Sequence, residues 1–264
     1  MEGLWGCRGE RVNVRVKGLL KIIRIVWLSG GVLFFLWLVY SMQARGIDPT
    51  VLQSNESVIV IETARTIQFI PQNNQSTGLL FYPGSLVEPE AYAPLARAVA
   101  EQGFRTIIVK LPLRTASFGS QEADLMAYTL TLIAENDDVP KWFIAGHSRG
   151  GAIAARFAHQ YGDSVDGLIQ IGTSHPKEAA YSLASATFPV TKIYATHDGL
   201  ASVVEVEANA EFLPVETHWV EIEGGNHAQF GYYGHQLGDN RAEIGREEQQ
   251  VLTVAAILAA LRGE

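Results

Sequence analysis

Only one of the 264 residues is a cysteine. It is Cys7, close to the start, so the rest of the chain has no internal disulfide, whatever its redox compartment. Charge is also sparse: 18% of residues are Asp, Glu, Lys or Arg against 47% hydrophobic. That composition is too apolar for a chain disordered throughout. The net charge is −8, and an acidic chain is a poor polyanion binder, so no nucleic acid is expected as a partner. No cluster has metal-ligand spacing, no glycine-rich loop fits a phosphate or a dinucleotide, and no internal repeat is found. Accordingly no metal and no cofactor is expected.

What is present is unevenly distributed. The length suits one α/β domain with residues to spare, and the mean hydropathy of +0.08 is slightly high for a soluble protein. Residues 1–45 hold seven Lys or Arg and two Glu, a net of +5, whereas the remainder carries −13. From 25 to 42 the run IVWLSGGVLFFLWLVYSM contains no charge. As a helix it would be about 27 Å long, near the hydrocarbon thickness of a bilayer. Trp27, Trp37 and Tyr40 suit the interfaces. The basic residues precede the run, which places residues 1–24 as a cytoplasmic tail, 25–42 as a transmembrane signal anchor and everything after about residue 45 outside the cytoplasm. The long leader, and Met42 standing where a cut after Ala44 would need a small residue, favour an uncleaved anchor. Secretion after cleavage is the alternative. Cys7 is a passive thiol or an acylation site. Two sequons, at Asn55 and Asn74, matter only in a eukaryotic secretory path.

Residues 43–56 are polar and turn-like and read as a linker to a domain over 57–264. In that domain, apolar runs at 79–82, 105–109, 142–145, 168–171, 192–195 and 219–222 alternate with helical stretches near 88–102, 120–136, 149–161, 174–185, 202–213 and 245–262. Strands apolar on both faces and alternating with helices predict an α/β fold with a mostly parallel sheet covered on both sides. The runs at 57–62 and 66–70 are spaced for an antiparallel hairpin at the sheet edge.

The chemistry concentrates at Gly146-His147-Ser148-Arg149-Gly150, a G-x-S-x-G between strand and helix, the context of a nucleophile elbow. Side chains two residues before and after the serine would collide as the backbone folds back, and the two glycines remove the collision. A plain strand end with Ser148 as a helix cap is the bland alternative. A serine hydroxyl needs a base, and the base an acid. Asp198 and His227 follow successive strands, in the order serine, acid, histidine, at the strand ends where ligands bind in open parallel sheets. Taken singly they are an ordinary turn aspartate and an ordinary loop histidine; His235 is the one rival base. The developing oxyanion needs two backbone N–H donors. Arg149 supplies one, and Ser85, after Pro83-Gly84, the other, with Leu86 as fallback. Phe230 and Tyr232, with Leu86 and His147, are candidates for an apolar substrate pocket or for plain packing.

The blocks YPGSLVEPEAYAPLA (82–96), GHSRGGAIAARFA (146–158), THDGLAS (196–202) and GGNHAQFGYYG (224–234) together resemble the α/β-hydrolase fold superfamily, in particular a bacterial-type subgroup of small serine hydrolases, over about residues 57–262. The resemblance implies an esterase or dienelactone-hydrolase-like enzyme with Ser148, Asp198 and His227 as its triad. Pro83-Gly84 stands where many relatives have His-Gly, which weakens the assignment of the oxyanion donor. The substrate expected is a small-molecule ester or related acyl compound. A thioesterase, amidase, acyltransferase or perhydrolase on the same triad, and a non-catalytic binding protein, are the alternatives. About twenty residues separate the strands ending at 171 and starting at 192, too few for a large lid. Oligomeric state is not readable.

Overall fold

The computed structural model describes residues 6–73, 76–116 and 119–264, with side chains from residue 18 onward in the first helix. Asn74 of the second sequon lies outside the described residues. The chain divides into two compact units, residues 1–41 and 42–264.

The first unit is one helix, α1 (Gly6–Ser41). Within it Gly18–Ser41 spans 24 residues and contains an 18-residue window of mean hydropathy 2.2 with no residue of that window buried, long and apolar enough to cross a membrane. The uncharged run at 25–42 falls within this helix up to Ser41.

The second unit is an eight-stranded sheet in the order β1-β2-β4-β3-β5-β6-β7-β8. β1 (Val58–Glu62) and β2 (Thr66–Pro71) form the antiparallel edge hairpin, and β2 pairs antiparallel with β4 (Arg105–Val109). β3 (Thr77–Tyr82), β5 (Lys141–His147), β6 (Gly167–Ile171), β7 (Val190–Ala195) and β8 (His218–Ile222) are parallel to β4. The inner strands are buried along nearly their whole length, as a sheet covered on both sides requires. α2 (Ala93–Glu101) and α6 (Arg246–Arg262) pack together on one face. α4 (Arg149–Gln160) packs on β5 and β6 on the other, where α3 (Gly119–Glu135) adds Leu125, Met126 and Leu132 to a core with Trp142, Ile153 and Phe157. Gly78 matters here: a Cβ on it would stand 2.6 Å from the Trp142 ring.

Two stretches differ from the expectation. Residues 174–185 form no α-helix, only a single 3₁₀ turn at Ala179–Tyr181. Pro176 biases His175 toward extended backbone, and long-range bonds occupy the groups a helix would use. The His175 carbonyl accepts from Lys192 Nζ at 2.6 Å, and the Ser182 carbonyl lies 2.9 Å from His159 Nδ1. The helix expected over 202–213 is short, α5 (Val203–Ala208), capped by the Ser202 hydroxyl and followed by a 3₁₀ turn at Ala210–Phe212. Residues 43–56, read as a linker, are held on the domain. The carbonyl of Met42 just before them accepts from Glu88 N–H, Arg45 N–H donates to the Tyr232 carbonyl, and the buried Arg97 guanidinium caps the carbonyls of Thr50, Val51 and Gln53.

Candidate active site

β5 ends at His147 and α4 begins at Arg149, leaving Ser148 alone in the turn at φ +53°, ψ −119°. A non-glycine residue held there costs about 1–3 kcal/mol, a strain kept only where the surroundings enforce it. Here they do. Ser148 N–H donates to the Ile171 carbonyl at 2.9 Å, and its own carbonyl accepts from Ala152 N–H at 3.1 Å. The glycines act as the steric argument requires: a Cβ on Gly146 would enter the backbone of Gly150, and one on Gly150 would strike the carbonyl oxygens of Tyr82 and Pro83. The second contact also brings the loop after β3 against the elbow.

Asp198 follows β7 and His227 follows β8, and the pairing of these parallel strands brings the two loops side by side. His227 Nδ1 lies 2.8 Å from Asp198 Oδ2, with the two side chains 1% and 0% exposed. The other oxygen, Asp198 Oδ1, accepts from Leu200 N–H at 2.8 Å and Ala201 N–H at 2.7 Å, so the carboxylate is fixed at both ends. A buried carboxylate accepts hydrogen bonds, which places a proton of His227 on Nδ1, toward Asp198, and leaves Nε2 as the nitrogen able to take up a proton in the neutral ring. Nε2 is buried without a partner among the described residues, so the Ser148 hydroxyl does not reach it in this state. Such bonds often close only when substrate is bound.

Beside this pair sits His147, whose ring centroid is 4.4 Å from that of His227. The Tyr92 hydroxyl accepts from Gly84 N–H at 3.0 Å and lies at hydrogen-bond distance, 2.8 Å, from His147 Nδ1. Burial, and next the neighbouring His227, hold His147 well below the usual imidazole range; the His227 backbone acts the other way and is outweighed. His147 is therefore neutral, and the chain Gly84–Tyr92–His147 ties the loop after β3 to the elbow.

The sequence-derived candidates are placed as follows. Neither Ser85 N–H nor Arg149 N–H has a protein acceptor among the described residues, and both flank the elbow. Leu86 is removed as the fallback donor: at φ +64° its N–H is spent on the Arg114 carbonyl at 2.7 Å. Its side chain stays exposed, whereas His147 and Phe230 are fully buried and pack on each other with ring centroids 5.5 Å apart. Tyr232 lines a groove of about 440 Å³ between α2 and α6, with Leu95, Val251 and Leu258, away from Ser148. Phe230 and Tyr232, both candidates for an apolar pocket or plain packing, are set apart by the 3₁₀ turn at Ala228–Phe230 and the bond from Tyr232 N–H to the Ala91 carbonyl. His235 is exposed, and the Asp198 carboxylate goes to His227 instead. The Arg149 side chain opens into a cavity of about 690 Å³ beside the elbow, where it shares Glu122 with Arg156.

Two residues escaped the sequence reading. Tyr92 reads as an ordinary helix-start aromatic, and Asp239, between Gly238 and Asn240, as a turn aspartate. Asp239 is buried and accepts backbone N–H groups from both the acid loop and the base loop. No local signal separates such a residue from a solvent-facing turn.

Comparison with known proteins bears on the family and the fold. A family model described as "Alpha/beta hydrolase family" matches residues 78–251. The fold is similar to a dienelactone hydrolase from Anabaena variabilis (20% identity, TM-score 0.56, 79% of this chain and 96% of that one). It is similar too to an α/β serine hydrolase homologue from Coxiella burnetii (17% identity, TM-score 0.56, 79% and 98%). A bacterial heroin esterase gives a TM-score of 0.60 at 15% identity over 81% of this chain and 88% of that one. At these identities the likeness is one of fold. No curated protein matches by sequence.

Proposed function

The chain belongs to the alpha/beta hydrolase family, and from that premise we propose that it is a serine hydrolase cleaving a carboxylic ester through Ser148, His227 and Asp198. The carrying observation is the buried Asp198–His227 hydrogen bond of 2.8 Å, formed across two loops at the strand ends that flank a strained serine. Structural packing alone gives no reason to hold a serine at positive φ beside a desolvated acid–histidine pair.

In this reading Ser148 Oγ attacks the ester carbonyl carbon while His227 Nε2 takes the hydroxyl proton. Asp198 keeps Nδ1–H oriented and stabilises the imidazolium that forms. The oxyanion is held by Ser85 N–H and Arg149 N–H. Collapse breaks the bond to the leaving alkoxide, which takes the proton from Nε2. Water then attacks the acyl-enzyme, giving its proton to Nε2, and the acid leaves as Oγ recovers a proton. The fold likeness to a dienelactone hydrolase and a heroin esterase favours small esters as substrates. The apolar run at 25–42 serves as a single-pass anchor, with residues 1–24 cytoplasmic and the catalytic domain across the membrane; the basic residues lie almost wholly before that run.

Ser148→Ala is expected to abolish both hydrolysis of short nitrophenyl esters and labelling by a fluorophosphonate probe, with an unchanged melting temperature. Hydrolysis by Ser148→Ala at the wild-type rate removes the assignment. A wild-type chain that neither labels nor turns over points to a binding protein instead.

A further inference from the structure

The triad geometry depends on two loops that come from different strands and share no covalent restraint. Asp198 lies three residues past the end of β7, and His227 lies five past the end of β8. Their side chains meet in a single hydrogen bond, and nearer the strand ends His197 N–H donates to the Gly225 carbonyl and Gly224 N–H to Thr196 Oγ1, each at 2.8 Å. A third segment ties the loops beyond these bonds, at the acid and the base themselves. Residues 236–244 cross both loops: Asn226 Nδ2 donates to the Asn240 carbonyl at 2.7 Å, His197 Nδ1 lies 3.1 Å from the Arg241 carbonyl, and Glu243 N–H donates to the Gly224 carbonyl at 2.7 Å.

The centre of this crossing is a second buried carboxylate. Asp239 Oδ1 accepts from Gly199 N–H (3.2 Å) and from the N–H of His227 itself (3.2 Å), and Oδ2 accepts from Ala228 N–H (2.8 Å). Its remaining bond is to its own neighbour, Asn240 N–H, at 2.9 Å. Apart from that neighbour, every donor is the residue after the acid, the base, or the residue after the base. Sterics tighten the arrangement, because a Cβ on Gly199 would meet Asn240 N at 2.8 Å and Asp239 Cα at 3.0 Å. The approach is possible only because residue 199 is glycine and because Gly238, at φ +91°, turns the chain back over it.

We propose that Asp239 is a positioning residue for catalysis: a carboxylate that clamps the acid loop to the base loop and so fixes the Asp198–His227 hydrogen bond and the place of Nε2. The proposal rests on the serine-hydrolase reading of Ser148, His227 and Asp198. Asp239 touches neither the imidazole ring nor the reacting atoms. It acts through three backbone amides, with bonds strengthened by its charge. An asparagine of the same shape keeps an oxygen at only one of the two positions and carries no charge: with the oxygen at Oδ1 its NH₂ faces Ala228 N–H, and with the oxygen at Oδ2 the bonds from Gly199 and His227 are lost, so the tie between the loops is weakened in either orientation. The ionisable groups around His227 are Asp198, Asp239, His147, Tyr92 and Tyr233. Burial keeps His147 neutral by lowering its pKa, and keeps both tyrosines neutral by raising theirs. Asp239 thus adds a second negative charge near the imidazolium.

The test compares full-length wild-type protein with Asp239→Asn in detergent, using Leu132→Ala, a buried truncation in the α3 layer, as a destabilised control remote from the site. In Asp239→Asn, kcat is expected to fall about 10- to 100-fold with KM little changed, the result of displacing a catalytic group by an ångström or less. The acid limb of kcat/KM is expected to move to lower pH, because the imidazolium loses a neighbouring negative charge. The far-downfield proton resonance of the His227 Nδ1–H bond is expected to shift or broaden, and Leu132→Ala to alter melting alone. The clamp is overturned if Asp239→Asn keeps kcat, pH profile and resonance, or if Leu132→Ala reproduces the same losses. The resonance needs no substrate. If wild type hydrolyses no ester, the serine-hydrolase reading fails on its own, and persistence of the resonance in Asp239→Asn separately overturns the clamp.

Discussion

Two buried titratable groups lie six residues apart around the same strand and have opposite physical characters. Lys192, in the middle of β7, is 1% exposed and gives its ammonium only neutral partners, Gln170 Oε1 at 3.1 Å and the His175 carbonyl at 2.6 Å. Burial, and next the charge of Lys177, push its pKa down to about 7. Asp198, beyond the end of β7, is as deeply buried but is met by His227 and two backbone amides. Burial alone therefore does not mark a site. Mid-strand, the sheet fixes where a side chain points and a buried polar group only fastens what lies above it; Lys192 fastens the 172–182 crossing. Past the strand ends, loops from several strands converge and can face a substrate.

The largest expected effect tests that distinction directly. Asp198→Asn preserves volume but removes the charge and tautomer control, and its kcat should drop by about 10⁴-fold, whereas Lys192→Met should leave kcat within about twofold because it touches no reacting group. Steady-state rates on one nitrophenyl ester decide it, and an equal loss in the two variants erases the contrast.

A smaller effect concerns pH. The folded-state pKa of Lys192, about 7, lies below that of an unfolded lysine, so the unfolded chain binds more protons between about pH 7 and 10.5. Stability should rise with pH across that window and fall as pH drops through 7. Measured by denaturant melts, wild type should gain on Lys192→Met by a few kcal/mol at most. A gap that stays constant with pH shows that the amine is already solvated.

The smallest effect sits between the two groups. Tyr92→Phe strands Gly84 N–H and frees His147 Nδ1, and should cost about 1–3 kcal/mol of stability. A lowered kcat should accompany it, as the loop carrying Ser85 loses its tie to the elbow. Unchanged thermal midpoint and kcat show that water replaces the hydroxyl.

Local chemistry was readable in the chain itself. The elbow could be read because its constraint acts within five residues, where Cβ collisions at Gly146 and Gly150 depend on nothing distant. Alternating strands and helices, the edge hairpin and the order Ser148, Asp198, His227 were likewise visible as periodicity and sequence order. The failures share a cause. The helix expected over 174–185 gave way to hydrogen bonds with Lys192 and His159, Leu86 lost its N–H to Arg114, and Tyr232 was turned toward α6. Each of those partners is distant in the chain. The same holds for Asp239, whose role exists only because strand order sets the loop after β7 beside the loop after β8. The sequence by itself determined which residues are candidates to react and roughly where the strands lay. Tertiary structure alone decided which backbone amides stay free and which carboxylates meet His227, because those are pairings between segments that meet only when the sheet has formed.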